Sequence, residues 1–155
     1  LCIVSPDHGG ATRARKMSEL LDCPIAIIDK RRPKPNIAEV MGIIGDVSGK
    51  NCILIDDMID TAGTIVAGAS VLKEKGAKDV YIACTHGVLS GPAIQRLNDC
   101  VAKEVVITDT IAIPEDKEFD KLVQISVAEL LAHTIESIEN NLPVSDVFTQ
   151  FDFKG

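Results

Sequence analysis

Short apolar runs alternate with amphipathic stretches along most of the chain. LCIV (1–4), PIAIID (24–29), CILID (52–56), VYIACT (80–85) and EVVIT (104–108) are rich in Ile and Val and read as strands buried on both faces. Between them, Ala11–Leu21, Thr64–Lys75, Ser90–Asp99 and Val127–Asn140 read as helices. Thr64–Lys75 carries Ile65, Ala69 and Leu72 at helical spacing, and Gly76 follows as a C-cap. Ser90 and Ser126 stand where N-caps are expected, with Glu129 completing a capping box after Ser126. Ala38–Ile44 is a further strand candidate, forming with Pro24–Asp29 a hairpin whose tip is Lys30–Ile37. Strand and helix in this repeated order predict an α/β fold: a parallel sheet with helices on both faces.

Ligands in such sheets sit beyond the carboxyl ends of the strands, so the loops after Val4, Asp29, Asp57 and Thr85 are where chemistry is expected. The strongest signal is CILIDDMIDTAGTI, residues 52–65. An apolar strand ends in two adjacent carboxylates, passes through Asp60, Thr61, Ala62, Gly63 and Thr64, and then becomes a helix. A small-residue loop opening a helix turns backbone N–H groups outward at the positive end of the helix dipole, which suits a phosphate. The hydroxyls of Thr61 and Thr64 add donors. Asp56 and Asp57 can accept hydrogen bonds from the vicinal hydroxyls of a sugar, directly or through a divalent cation. A plain helix cap is the competing reading. A phosphate-accepting receiver domain is disfavoured, because its acid pair follows the first strand and its acceptor Asp comes later.

Composition narrows the setting. The 155 residues suit one domain, with 46% hydrophobic and 25% charged residues. No apolar run reaches the roughly 18 residues a membrane helix needs, and the start lacks the pattern of a secretory signal. The formal charge of −7, without a long basic stripe, argues against nucleic acid as a partner. Five cysteines (Cys2, Cys23, Cys52, Cys84 and Cys100) occur without a CxxC, three of them in apolar runs. Reduced, buried thiols and a cytoplasmic setting are expected. The chain opens with Leu inside a strand, which reads as a fragment of a longer protein.

Asp7 lies just past the first strand, before Gly9 and Gly10. Those glycines allow close approach of a ligand, and Asp7 is either a hard oxygen ligand for Mg²⁺ or a turn and cap residue. His8 is expected to be a solvated loop residue. The basic cluster Lys30–Lys34 is a solvated hairpin tip by default, although a flexible loop bearing cations could also serve phosphoryl transfer. Thr85–Gly87 could line the site or form a turn, and His133 is expected to be structural. The tail 143–155 carries Phe148, Phe151 and Phe153.

Residues 52–65 resemble the phosphoribosyl diphosphate-binding loop of type I phosphoribosyltransferases, in the form found in ribose-phosphate diphosphokinases. Ala62-Gly63, in place of two glycines, favours the diphosphokinases. SPDHGGATRARKMSELL (5–21), IIDKRRPKPN (27–36) and THGVLSGPAIQRL (85–97) also resemble that family, and the likeness weakens only after about residue 140. The resemblance implies a phosphoribosyltransferase-like C-terminal domain over residues 1–142, a tail over 143–155 and an absent N-terminal domain. It implies transfer of the diphosphoryl group of ATP to the anomeric hydroxyl of ribose 5-phosphate. In that scheme Asp60–Thr64 hold the 5-phosphate, Asp56 and Asp57 engage the ribose hydroxyls, and Asp7 binds Mg²⁺. Lys30 and Arg32 fall on the family's catalytic Lys-x-Arg pattern, with Arg32 also meeting substrate. A homo-hexamer and an isolated fragment without turnover are further implications. The alternatives are a non-catalytic synthase-associated subunit and a nucleobase phosphoribosyltransferase.

Overall fold

A computed structural model describes residues 1–31, 40–114 and 117–150; at 30, 31, 40, 41, 149 and 150 only the backbone is described. The Ile/Val-rich runs form β1 (Cys2–Ser5), β2 (Ile25–Arg31), β4 (Asn51–Ile59), β5 (Asp79–Gly87) and β6 (Val105–Thr108). Two further strands complete the sheet, β3 (Val40–Ile44) and β7 (Leu122–Ile125). The order is β3-β2-β1-β4-β5-β6-β7. Every neighbouring pair is parallel except β2 with β3.

The chain moves outward one way from β1 to β3 and the other way from β4 to β7. The reversal puts a crevice between the carboxyl ends of β1 and β4. β1 ends at Ser5, whereas β4, paired with it from Cys52 to Leu54, runs on to Ile59 alongside β5. That overhang carries Asp56 and Asp57 past the end of β1.

Helices cover both faces, as the pattern of apolar runs predicts. On one face Ala14 of α1 (Ala11–Leu20) packs with Ile3 and Ile55. On the other, Ile65, Ala69 and Leu72 of α2 (Gly63–Glu74) join Val4, Leu54 and Ile82 in the larger core, together with Leu97 of α3 (Ala93–Asp99). Gly68 lets α2 approach the sheet: a Cβ there would stand 2.7 Å from Ile28 Cδ1. α2 ends in a Schellman turn around Gly76 (φ +89), where Gly76 N–H donates to Lys73 O and Ala77 N–H to Leu72 O. Four of the five cysteines are buried and all are free thiols. Burial pushes the Cys84 thiol up to about 12, which keeps it an inert thiol.

Several boundaries differ from those the sequence suggests. Helix α3 begins at Ala93 rather than Ser90, because Leu89 (φ 52) and Gly91 (φ 53) turn the chain first. Helix α4 (Ala128–Glu139) is not held by a Ser126–Glu129 capping box. Ser126 does cap the helix, its Oγ accepting from Ala128 N–H at 3.2 Å, and Asp109 braces that turn: its Oδ1 accepts from Val127 N–H at 2.8 Å and its Oδ2 from Ser126 Oγ at 2.6 Å. Lys30 and Arg31 pair with Met41 and Val40, so by backbone they belong to β2 and not to the hairpin tip. Residues 32–37 of that tip lie outside the described residues, as do Phe151 and Phe153. The tail holds a short helix, α5 (Ser145–Gln150), whose Val147 is buried. α4 buries none of its residues, and Leu131, Ile135 and Ile138 on it are exposed. Among the described residues, no helix is long and apolar enough to cross a membrane.

Candidate functional site

The loop from β4 into α2 has its carbonyls taken up by the protein itself. Ile59 O accepts from Val88 and Leu89 N–H, and Asp60 O accepts from Ser90 N–H at 3.0 Å. Thr61 O accepts from Arg96 Nη1 at 2.9 Å, and Ala62 O from Val66 N–H at 3.1 Å. With four successive carbonyls anchored, the N–H groups of residues 61–64 make no hydrogen bond among the described residues. Ala62 adopts the left-handed conformation (φ 62, ψ 3) just before the helix begins, which bends the chain so that neighbouring amides converge. They border an open cleft of about 260 Å³, lined by Asp7, Asp56, Met58 and residues 59–65. The predicted residues Asp60, Thr61, Ala62, Gly63 and Thr64 therefore share one cleft with Asp56 and Asp7.

Asp56 and Asp57 project on opposite sides of the extended β4. The Asp56 side chain is 26% exposed and that of Asp57 62%. Arg13 of α1 spans both, with Nη1 3.0 Å from Asp56 Oδ1 and Nη2 2.7 Å from Asp57 Oδ2. Asp57 N–H also donates to Asp56 Oδ1. Burial raises the affinity of Asp56 for a proton above that of an ordinary carboxyl. Hydrogen bonding to Asp56 lowers that of Asp57, with Arg13 adding to the effect. A proton entering the pair goes first to Asp56.

Asp7 closes the other side. Its Oδ1 accepts from Gly10 N–H at 2.9 Å, and its carbonyl accepts from the buried Ser5 hydroxyl at 2.7 Å. It thus holds its loop in shape, as the turn reading expects, while its second carboxylate oxygen remains for a ligand. Among the described residues no three His, Cys, Asp or Glu side chains converge on a metal position. A hard cation held by one or two carboxylates, with water and phosphate oxygens completing its shell, fits such a donor set; a cage of protein ligands does not.

The remaining candidates divide. His8 is exposed, but its Nε2 lies 3.0 Å from Asp29 Oδ1, tying the β1 loop to the end of β2. The backbone of Lys30 follows directly in β2; its side chain and all of Arg32 lie outside the described residues. His86 is in β5 and contacts Thr110 Oγ1 at 2.8 Å, while Thr108 and Thr110 hydroxyls both donate to Thr85 O. That network joins β5 to the end of β6 and the segment after it. His133 lies 3.7 Å from both Glu129 and Glu136 on an exposed helix. Sequence reasoning missed Arg13 and Arg96, which reach partners 43 and 35 residues away. The available signal was position: Arg13 lies in the first turn of a helix that starts at the crevice.

Known proteins bear on this arrangement. The chain is 60% identical over 146 residues to ribose-phosphate pyrophosphokinase 2 of Enterococcus faecalis, covering 94% of this chain and 45% of that protein. It is 57% identical over 148 residues to ribose-phosphate pyrophosphokinase 1 of Lactococcus lactis, covering 96% and 46%. It therefore spans a little under half the length of the curated relatives it matches. Among solved structures, phosphoribosylpyrophosphate synthetase from Mycobacterium smegmatis superposes with a TM-score of 0.83 at 50% identity, over 90% of this chain and 45% of that one. Orotate phosphoribosyltransferase from Aeropyrum pernix, with a TM-score of 0.56 at 15% identity over 87% of this chain and 64% of that one, shares the fold alone. The phosphoribosyltransferase-like α/β fold expected from the sequence is the fold present. Residues 5–149 match the family described as the phosphoribosyl synthetase-associated domain, and the chain belongs to that family.

Proposed function

We propose that this chain is the ribose 5-phosphate-binding part of a ribose-phosphate diphosphokinase. The observation that carries the reading is the row of unsatisfied amides at residues 61–64, opening on a cleft that also contains Asp56 and Asp7. An anion in that cleft meets N–H donors and the positive end of α2. A sugar attached to it extends toward a carboxylate pair. That spacing of phosphate donors and hydroxyl acceptors supports a phosphosugar over a simple anion.

In the proposed reaction the anomeric hydroxyl attacks the β-phosphorus of ATP. A new O–P bond forms, the bond from the β-phosphorus to the α-phosphate bridging oxygen breaks, AMP leaves, and the hydroxyl proton is released. Binding energy at the remote 5-phosphate orients the attacking oxygen. Asp56 and Asp57 accept the ribose hydroxyls and fix the ring. Asp7 would hold Mg²⁺, which supplies charge neutralisation on ATP oxygens when bound. Lys30 and Arg32 would neutralise charge on the transferred group and on AMP. The chain would then be the C-terminal half of its parent, and the ATP site would need the rest of the protein.

Calorimetric titration of ribose 5-phosphate into the chain, with Mg²⁺ present, tests this. Saturable binding is expected, weakened by Thr64→Val and absent for unphosphorylated ribose. Equal binding of ribose and ribose 5-phosphate, or no response to the loop substitution, would remove the phosphate loop from the reading.

A further inference from the structure

Arg13 has no part in the function proposed above, yet its guanidinium contacts both members of the acid pair. The inference rests on the reading of Asp56 and Asp57 as hydroxyl acceptors. Each carboxylate gives one oxygen to the guanidinium fork, Asp56 Oδ1 at 3.0 Å and Asp57 Oδ2 at 2.7 Å. Asp56 Oδ1 takes a further bond from Asp57 N–H. One oxygen of each carboxylate is thereby committed, and the other is left to accept. Although the two side chains leave β4 on opposite sides, the shared guanidinium draws one oxygen of each to itself, leaving one acceptor on each carboxylate for the two donors of a vicinal diol.

The fork is what makes this arrangement specific. Neighbouring carboxylates repel one another, and without a shared cation they would turn apart or gather a metal ion. A planar guanidinium holds two oxygens at set positions, which an ammonium, a point charge on a flexible stem, does not. We propose that Arg13 is a positioning residue that fixes the acid pair as a diol acceptor and so sets a preference for ribose phosphates over 2-deoxyribose phosphates.

The test is a calorimetric titration of the 155-residue chain and two variants with ribose 5-phosphate, 2-deoxyribose 5-phosphate and inorganic phosphate. The original chain should prefer the ribose compound by about tenfold or more, the effect of one hydrogen bond to a charged acceptor. Arg13→Met should lose most of that preference while its affinity for inorganic phosphate, held by residues 60–64, stays unchanged. Arg13→Lys, matched to the original by urea midpoint, keeps the charge without the fork and should recover affinity but not full discrimination. Should either variant keep the original preference, Arg13 does not orient the pair. Should the original chain bind ribose 5-phosphate no better than inorganic phosphate, the diol reading of the acid pair falls, and this inference with it.

Discussion

Gly10 sits where three features of the site meet, and substituting it gives a prediction that the structure makes quantitative. Its backbone (φ −79, ψ −5) is ordinary for any residue, so Gly10→Ala introduces contact without conformational strain. The added Cβ would lie 2.7 Å from Ser5 Oγ, with no other atom nearer than Arg13 Nη1 at 3.5 Å. Ser5 is fully buried and donates its hydroxyl to Asp7 O, so relief requires breaking that bond or shifting the β1 loop. Overpacking of this kind costs about 1–3 kcal/mol. The alanine returns about 0.4–1 kcal/mol by restricting the unfolded chain. A net loss of about 1–2 kcal/mol is expected, or about 0.5–1 M in urea midpoint for a slope near 2 kcal/mol/M. Ser5→Ala alone removes one hydrogen bond, worth about 1 kcal/mol. In the double variant the obstructing oxygen is gone, so the pair should cost no more than Ser5→Ala by itself. Urea unfolding followed by circular dichroism measures all three. Additive losses, within about 0.5 kcal/mol, would refute the contact as the cause.

Two other predictions concern the supports of the loop and of α4. Arg96→Met removes the donor on Thr61 O, an exposed bond worth about 0.5–1.5 kcal/mol. The urea midpoint should fall by about 0.25–0.75 M for a slope near 2 kcal/mol/M, and affinity for ribose 5-phosphate should fall as well because the loop loses an anchor; an unchanged affinity would show that Arg96 does not support the phosphate loop. Asp109 is held below the ordinary carboxylate range, first by Ser126 and then by Val127 N–H. Its folded value lies below its unfolded one, so its contribution is present above the unfolded value and is lost as pH falls through the folded one. The stability advantage of the original chain over Asp109→Asn should therefore shrink with acidification from neutral pH through the carboxylate range. A constant advantage in urea unfolding across that range would show that the carboxylate is not acting through its charge.

What the sequence discloses about this site is largely what is contiguous. The run 52–65 carries a strand, an acid pair, a loop and a helix start in one stretch, and all four are present, although β4 runs on through the acid pair to Ile59 instead of ending there. β7 escaped notice because it has four residues, mostly solvent-facing, and exists through pairing with β6 rather than through its own periodicity. Ser90 looked like an N-cap, but the positive φ angles at Leu89 and Gly91 depend on a turn fixed by bonds back to Ile59 and Asp60. The α4 pattern is helical as expected, yet spacing alone does not say whether its apolar side is covered, and it is exposed. Arg13 and Arg96 were overlooked for a related reason: what makes them matter is a partner brought near only by the sheet order.

The left-handed Ala62 has a consequence for the timing of conformational loss. A residue with a Cβ in that region is disfavoured by roughly 1–2 kcal/mol, and the surrounding fold must hold it there. Glycine would occupy the same angles without that penalty, but it would also wander among alternatives when the cleft is empty. With alanine, the ordering of the turn is completed during folding, before any ligand arrives. The amides then meet an incoming anion already aligned, and less entropy is left to be surrendered at the moment of encounter.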